Sequence, residues 1–301
     1  MKQNESAGRR TRREFLAAAG ALAASRTLAP WPSRVMAEEM HTYPGVRFGV
    51  QLNAFPIDPK NFQSFLDTLG VVKQIGYQGF ESSFRNVQAE FGDPGPARRK
   101  IEETGLAFFG IHIFFPDRMY DQQTHIAAPS VYEPIARGGA ALGAKHLVLS
   151  GFPTSNRDQL RRKIDALNAA GRFARSAGLR LAYHNEYWPA GEIETLYTET
   201  DPGLVHFLLD CGHAYHGGAD VPAFIRAHSK RIIGFHLRDF RNGRLVTLGT
   251  GTFPLAEVAH TIEQIGWKGW VENEEEREDH SQHGAEVVRP AFKAMEEAFK
   301  V

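Results

Sequence analysis

From Val46 onward the apolar positions switch repeatedly between a period of two and a period near three and a half. Residues 46–52 form a short β-rich run. Behind it Phe62, Phe65, Leu66, Leu69, Val72 and Ile75 recur at helical spacing, which predicts a helix over 61–75. The pattern then repeats. Strands are predicted at 79–81, 107–113, 146–150, 180–185, 205–210, 232–237 and 270–272. Helices are predicted at 96–104, 131–142, 156–177, 192–200, 221–228, 254–265 and 284–299. Proline opens the first of these, and Gly178 ends the long one.

Eight strands, each followed by a helix, imply a parallel sheet. Residues 38–301 match the length of a (β/α)8 TIM barrel, about 250 residues. A doubly wound open sheet is the alternative. It is disfavoured because no Gly-x-Gly-x-x-Gly follows the first strand. No low-complexity stretch interrupts the body, which reads as one domain.

Composition adds two exclusions. With one cysteine, Cys211, the chain forms no internal disulfide and no cysteine-based zinc site. The net charge of zero hides an asymmetry. Residues 1–37 hold seven Lys/Arg and two acids, leaving 28 basic and 33 acidic residues in 38–301, a net of −5. An acidic body does not suit a duplex-binding protein, which needs a basic stripe. No nucleic-acid partner is therefore expected.

The basic segment reads as an address. Arg-Arg-Thr-Arg-Arg at 9–13 precedes an apolar stretch over 15–24, too short to span a bilayer. Basic region, apolar region and the small-residue site Val35-Met36-Ala37 make a signal peptide. Thr11-Arg12-Arg13-Glu14-Phe15-Leu16 resembles the twin-arginine export signal. The expectation is removal of 1–37, a periplasmic mature protein of 38–301, and no membrane contact beyond export.

Barrel chemistry sits at the C-terminal strand ends, and the ionisable residues of this chain gather there. Glu81 ends the second strand and His112 lies late in the third. His184 and Glu186 end the fifth. Asp210 ends the sixth, with His213 just beyond. His236, Arg238 and Asp239 end the seventh, and Glu272 and Glu274 the eighth. Buried charge without a partner is costly, so a ring of Glu, Asp and His at one mouth points to a cation. Mixed carboxylate and imidazole ligands suit Mn, Co, Fe, Mg or Zn.

Leu208-Leu-Asp-Cys-Gly-His213, Phe235-His-Leu-Arg-Asp239 and Gly269-Trp-Val-Glu272 resemble the sugar phosphate isomerase/epimerase family, the xylose isomerase-like barrels. Thr200-Asp-Pro-Gly-Leu-Val205 and Val246-Thr-Leu-Gly-Thr-Gly251 extend the resemblance, which covers about residue 46 to the end. It implies a divalent metal, most often manganese, held by carboxylates of strands five, six and eight and a histidine of strand seven. Asp210, His236 and Glu272 match three of these positions. Strand five reads Tyr183-His-Asn-Glu186, so the fourth ligand is His184 or Glu186.

The resemblance also implies a reaction: proton transfer next to a sugar carbonyl through an enediolate, on a small-molecule sugar or polyol. Glu186 and Glu272 are the candidate acid/base pair, with His184 as a further catalytic candidate. Glu81, His112, His213 and Arg238 are candidates for binding substrate hydroxyls, and Trp188 for stacking on a sugar or for packing. The same metal and base could instead eliminate water or an alcohol from a keto-sugar, giving a lyase or a hydrolase of oxidised glycosides. A non-catalytic sugar-binding barrel is a third reading. A metal-cluster endonuclease, suggested by Asp210-x-x-His213, is disfavoured by the acidic body. Gly249-Thr-Gly251 is a weak candidate for phosphate contact, more simply a turn.

Overall fold

The computed structural model describes residues 44–300; the proposed export segment, 1–37, lies outside them. The expected alternation is present. The chain runs β1 (Val46–Gln51), α1 (Phe62–Ile75), β2 (Gly79–Ser83), α2 (Pro94–Glu103), β3 (Ala107–Ile113), α3 (Pro129–Leu142), β4 (His146–Ser150) and α4 (Arg157–Ser176). It continues through β5 (Arg180–His184), α5 (Ala190–Glu199), β6 (Val205–Asp210), α6 (Cys211–His216), α7 (Val221–His228) and β7 (Ile232–Leu237). A hairpin follows, β8 (Asp239–Arg241) and β9 (Arg244–Val246), and then α8 (Leu255–Gln264), β10 (Gly269–Glu274) and α9 (Ala285–Ala298).

Eight of these strands close into a barrel in the order β1-β10-β7-β6-β5-β4-β3-β2, with parallel neighbours throughout. This is the (β/α)8 barrel the periodicity predicts. The hairpin and α6 were not legible in it. Their runs of three, three and six residues are too short to show a period. Local chemistry builds both. Asn242 and Gly243 adopt positive φ, 52° and 74°, the turn that an Asn-Gly pair favours between antiparallel strands. Asp210 starts α6 by accepting the His213 amide at 2.7 Å.

Two apolar layers fix the barrel. Outward strand residues pack under the helices, as Phe48 does against Phe292 and Phe80 against Phe65. Inside, Phe109, Val148, Ala182, Leu208 and Trp270 form a separate plug. One step of two residues further along their strands stand Ser150, His184, Asp210 and Glu272, all buried. Alternation keeps them on the same inward face. The barrel is thus apolar below and polar above, and the polar layer opens at the C-terminal ends. Among the described residues no helix is long and apolar enough to cross a membrane.

One polar pair belongs to the wall. Lys163 of α4 is fully buried and donates to Glu192 Oε1 of α5 at 2.7 Å and to the Phe152 carbonyl at 3.1 Å. Glu192 also accepts the Thr154 amide and hydroxyl at 2.7 and 2.6 Å. Removing one partner leaves the other charge buried and alone. Lys163→Ala is therefore expected to lower unfolding free energy by about 3–5 kcal/mol, measured by urea denaturation. A loss near zero would mean that water reaches the pair.

Candidate active site

His184 is placed by the end of β5 and held by a row of hydrogen bonds. Glu81 Oε1 lies 2.8 Å from His112 Nδ1, and His112 Nε2 lies 2.9 Å from Ser150 Oγ. Ser150 Oγ in turn lies 3.1 Å from His184 Nδ1. All four residues are buried. The row fixes the His184 ring so that Nε2 faces Asp210 Oδ2 at 3.4 Å and Glu274 Oε2 at 3.5 Å. That Nε2 is buried and has no hydrogen-bond partner. His236 completes the group, with Nδ1 2.6 Å from Glu274 Oε2. One donor atom from each of His184, Asp210, His236 and Glu274 lies within 4.8 Å of the others.

This tetrad suits a divalent metal. A cation with bonds near 2.1 Å needs donors about 3–4 Å apart, and two imidazoles with two carboxylates fit the first-row divalent ions. The electrostatics ask for positive charge. Burial alone would lower His184, yet the carboxylates of Asp210 and Glu274 facing its ring push it up to about 9. Burial would raise Asp210, but Arg238 and the neighbouring histidines hold it well below the usual carboxylate range. Glu274 is depressed in the same way by Arg238 and His236.

Arg238 binds the rim of the tetrad together. Its Nε donates to Asp210 Oδ2 at 2.6 Å and Nη1 to Glu276 Oε2 at 2.7 Å, while Nη2 pairs with Glu274. The guanidinium is buried and committed to three carboxylates. Its place is that of an outer group orienting ligands, not of a free arm for substrate hydroxyls. Glu81 and His112, expected to touch substrate, stand in the buried row behind His184.

Glu272, expected among the metal ligands, lies outside the tetrad, and Glu274 stands in its place. The reason is strand length. β10 runs two residues beyond its predicted end, so the residue at the mouth is Glu274. Glu272 sits one inward step lower, in a second group with Glu81 and His236 whose donor atoms also lie within 4.8 Å of one another. Both of its oxygens are buried without a hydrogen-bond partner. Gly49 makes its room, because a Cβ there would come within 2.8 Å of Glu272 Cγ. Burial, and then the nearby Glu81, push its carboxyl well above the usual range.

Glu186 also lies outside the tetrad, with Oε2 3.6 Å from His184 Nδ1 and Oε1 3.6 Å from His213 Nε2. Its side chain keeps 26% exposure and lines the cleft above the tetrad. Withdrawal from water pushes its carboxyl up to about 7; Glu276 and Glu274 add to the rise, and His184 and Arg238 oppose it. His213 is pushed down to about 3, first by burial and then by Arg238, so its ring is neutral. Trp188 packs edge-on against Phe224 at 4.9 Å and belongs to the wall. Gly249 and Gly251 give their amides to Asp239 Oδ2 at 3.1 and 2.7 Å, so this loop has no amide to offer a phosphate.

Ser150 escaped the sequence reading, and Glu276 reads from the sequence only as the end of a partly solvated acidic run, 272–276. Ser150 ends β4 and shares the inward face, a signal that was present; Glu276 follows the strand in a loop and had none. Glu274 was named at a strand end, but the resemblance gave the ligand role to Glu272.

A family model described as xylose isomerase-like TIM barrel matches residues 69–298. The inosose dehydratase of Salmonella typhimurium LT2 is 27% identical over 159 residues, which are 45% of this chain and 53% of that protein. The chain thus matches about half the length of this curated relative. The inosose dehydratase of Lacticaseibacillus casei is 23% identical over 284 residues, 86% of each chain. Among solved structures, a sugar phosphate isomerase/epimerase from Parabacteroides distasonis superposes with a TM-score of 0.68 at 20% identity, covering 91% of this chain and all of that one.

Proposed function

This chain belongs to the xylose isomerase-like TIM barrel family, and from that premise we propose that it is a divalent-metal-dependent enzyme of keto-sugars or keto-polyols. It takes a proton from the carbon next to a carbonyl. The observation that carries this reading is the buried tetrad His184, Asp210, His236 and Glu274, with Glu186, 3.6 Å from His184, lining a cleft at the mouth. Manganese is the first candidate ion, with Co, Fe, Mg and Zn as alternatives. A cation held there would polarise the carbonyl and stabilise the negative charge that develops on deprotonation.

The residues supply the rest. Glu186 titrates near neutrality, as an acid–base group should, and reaches the cleft. The neutral His213 beside it is placed to hydrogen-bond a hydroxyl. The row Glu81–His112–Ser150 holds His184, and Arg238 holds Asp210 and Glu274.

We place elimination ahead of epimerisation. The resemblance implies that epimerases pair glutamates of strands five and eight, whereas strand five here offers His184 at the ligand position and, two residues beyond its end, a single carboxylate, Glu186. One base is enough: Glu186 takes the proton, the C–O bond at the next carbon breaks, and the hydroxyl leaves as water with the proton Glu186 returns to it. The inosose dehydratase relatives favour this outcome. The isomerase/epimerase neighbour keeps epimerisation as the second reading.

The substrate is unphosphorylated. The cleft, about 320 Å³, is lined by Glu186, Glu276 and Glu278, and its one Lys/Arg, Arg277, is paired with Glu275. A phosphate there would meet carboxylates. Export of the mature chain to the periplasm, proposed from Arg12-Arg13, accords with an unphosphorylated extracellular sugar.

The test is a screen of inososes, ketoses and 3-keto-glycosides with Mn²⁺ in deuterated water, read by NMR. Solvent deuterium in recovered substrate or loss of water from product supports the reading; neither, with any ion, overturns it. Within it, Glu186→Gln keeps the size and loses the acid. Turnover is expected to fall about 10²–10⁴-fold with metal content kept. Loss of metal together with activity would make Glu186 a ligand.

A further inference from the structure

The opposite end of the barrel carries a second cleft, of about 820 Å³, formed where β1, β3, β4, β5, β7 and β10 begin. Its volume lies in the range of small-molecule sites. Arg47, Lys145, Arg175, Arg180 and Lys268 line it, with no Asp or Glu among its lining residues. This stands against a body that is acidic on average. Among the described residues none of the five forms a salt bridge. Arg175 reaches only the Gly203 carbonyl.

The cations come from four stretches of the chain, Arg175 and Arg180 sharing the α4–β5 turn, so no single sequence run explains their convergence. Topology brings them together, because parallel strands all start at this end. The floor is built and apolar. Trp270 and Phe109, part of the barrel plug, pack edge-to-face with centroids 6.2 Å apart. Arg47 lies over the Trp270 ring at 4.2 Å, which fixes its guanidinium above the floor. His146 anchors the side through Nδ1, 2.8 Å from the Phe109 carbonyl. Burial and then the positive field of Arg180 push His146 down to about 4, after the opposing effect of that carbonyl, so it adds a neutral imidazole.

We propose that this N-terminal mouth is a binding site for a small organic or inorganic anion with two or more charges, phosphate- or carboxylate-bearing. Like charges gathered around one cavity repel each other, and an anion relieves that repulsion. Arg47 and Arg180 offer planar donors for bidentate contact, while Lys145 and Lys268 act as point charges. The walls set the size: the cleft admits a metabolite, and its apolar floor accommodates the carbon skeleton. The inference is independent of the sugar chemistry at the other mouth.

The test is calorimetric titration of the full chain, at low ionic strength, with inorganic phosphate and with succinate; glucose serves as the uncharged probe. Binding of one or both anions with Kd of about 0.1–1 mM, and none of glucose, is expected. The tighter anion identifies phosphate or carboxylate as the recognised group. Arg47→Ala with Arg180→Ala should weaken binding at least about tenfold. Because Arg47 also covers Trp270, a second pair, Lys145→Gln with Lys268→Gln, both exposed, should weaken it as well while circular dichroism is unchanged. No heat from either anion up to about 5 mM overturns the proposal. So does affinity unaltered in both double variants, which would put the anion elsewhere.

Discussion

Asp210→Asn is expected to abolish turnover and release the metal in one step. The substitution preserves shape, and the Asn185 contacts to the Asp210 backbone, 2.8 and 3.0 Å, are untouched. What disappears is the negative charge shared by His184 Nε2, Arg238 Nε and the proposed cation. Arg238 would then face an amide in a buried setting, and a buried charge deprived of a partner is costly. Activity should fall by at least about 10³-fold, the scale of losing a preorganised charge stabiliser. Elemental analysis should find the variant depleted of metal although circular dichroism shows a folded barrel. Full metal content with full activity would remove the tetrad from the mechanism.

The second large effect separates two glutamates two residues apart. Glu274→Gln should lose metal affinity by more than about 100-fold, beyond the 10–100-fold that outer groups command, and activity with it. Glu272→Gln should keep both. Glu274 carries an ionised carboxylate, drawn down by Arg238 and His236, within reach of His184. Glu272 lies below, in a space cleared by Gly49, and burial favours its neutral form by pushing the carboxyl above the usual range. An amide is close in size and charge to a neutral acid, so the exchange costs little there. The reverse result, metal lost from Glu272→Gln alone, would return the ligand role to Glu272 and displace Glu274.

These two residues also show where a sequence stops informing. The strand at 269–274 was recognised by its apolar start, Trp270 and Val271. The predicted span stops at Glu272, although Glu274 is also named at the strand end; Asn273 and Glu274 carry no β signature of their own. In the barrel, β1 supplies a full row of partners, and Gln51 opposite Glu274 extends pairing to the mouth. Backbone hydrogen bonding to a neighbour decides that boundary, and the neighbour is more than two hundred residues away in the chain.

The strict alternation of periods, the long amphipathic helix α4 and the buried strands determined the (β/α)8 barrel by themselves. Burial on one face is a local demand, and it writes itself into local spacing. The sequence also determined which end would carry chemistry, because ionisable residues stand at strand ends and inward-facing positions recur every second residue. Asp210, His236 and His184 were legible on that ground. Only the tertiary structure brings a Glu274 oxygen, and not one of Glu272, within 4.8 Å of donor atoms of all three. It also turned Arg238 onto three acids, placed Glu81 and His112 behind His184, and gathered five cations at the opposite mouth. Those outcomes depend on register and on distances between strands remote in sequence. Periodicity specifies which face a side chain occupies, but only closure of the barrel sets its height and its neighbours.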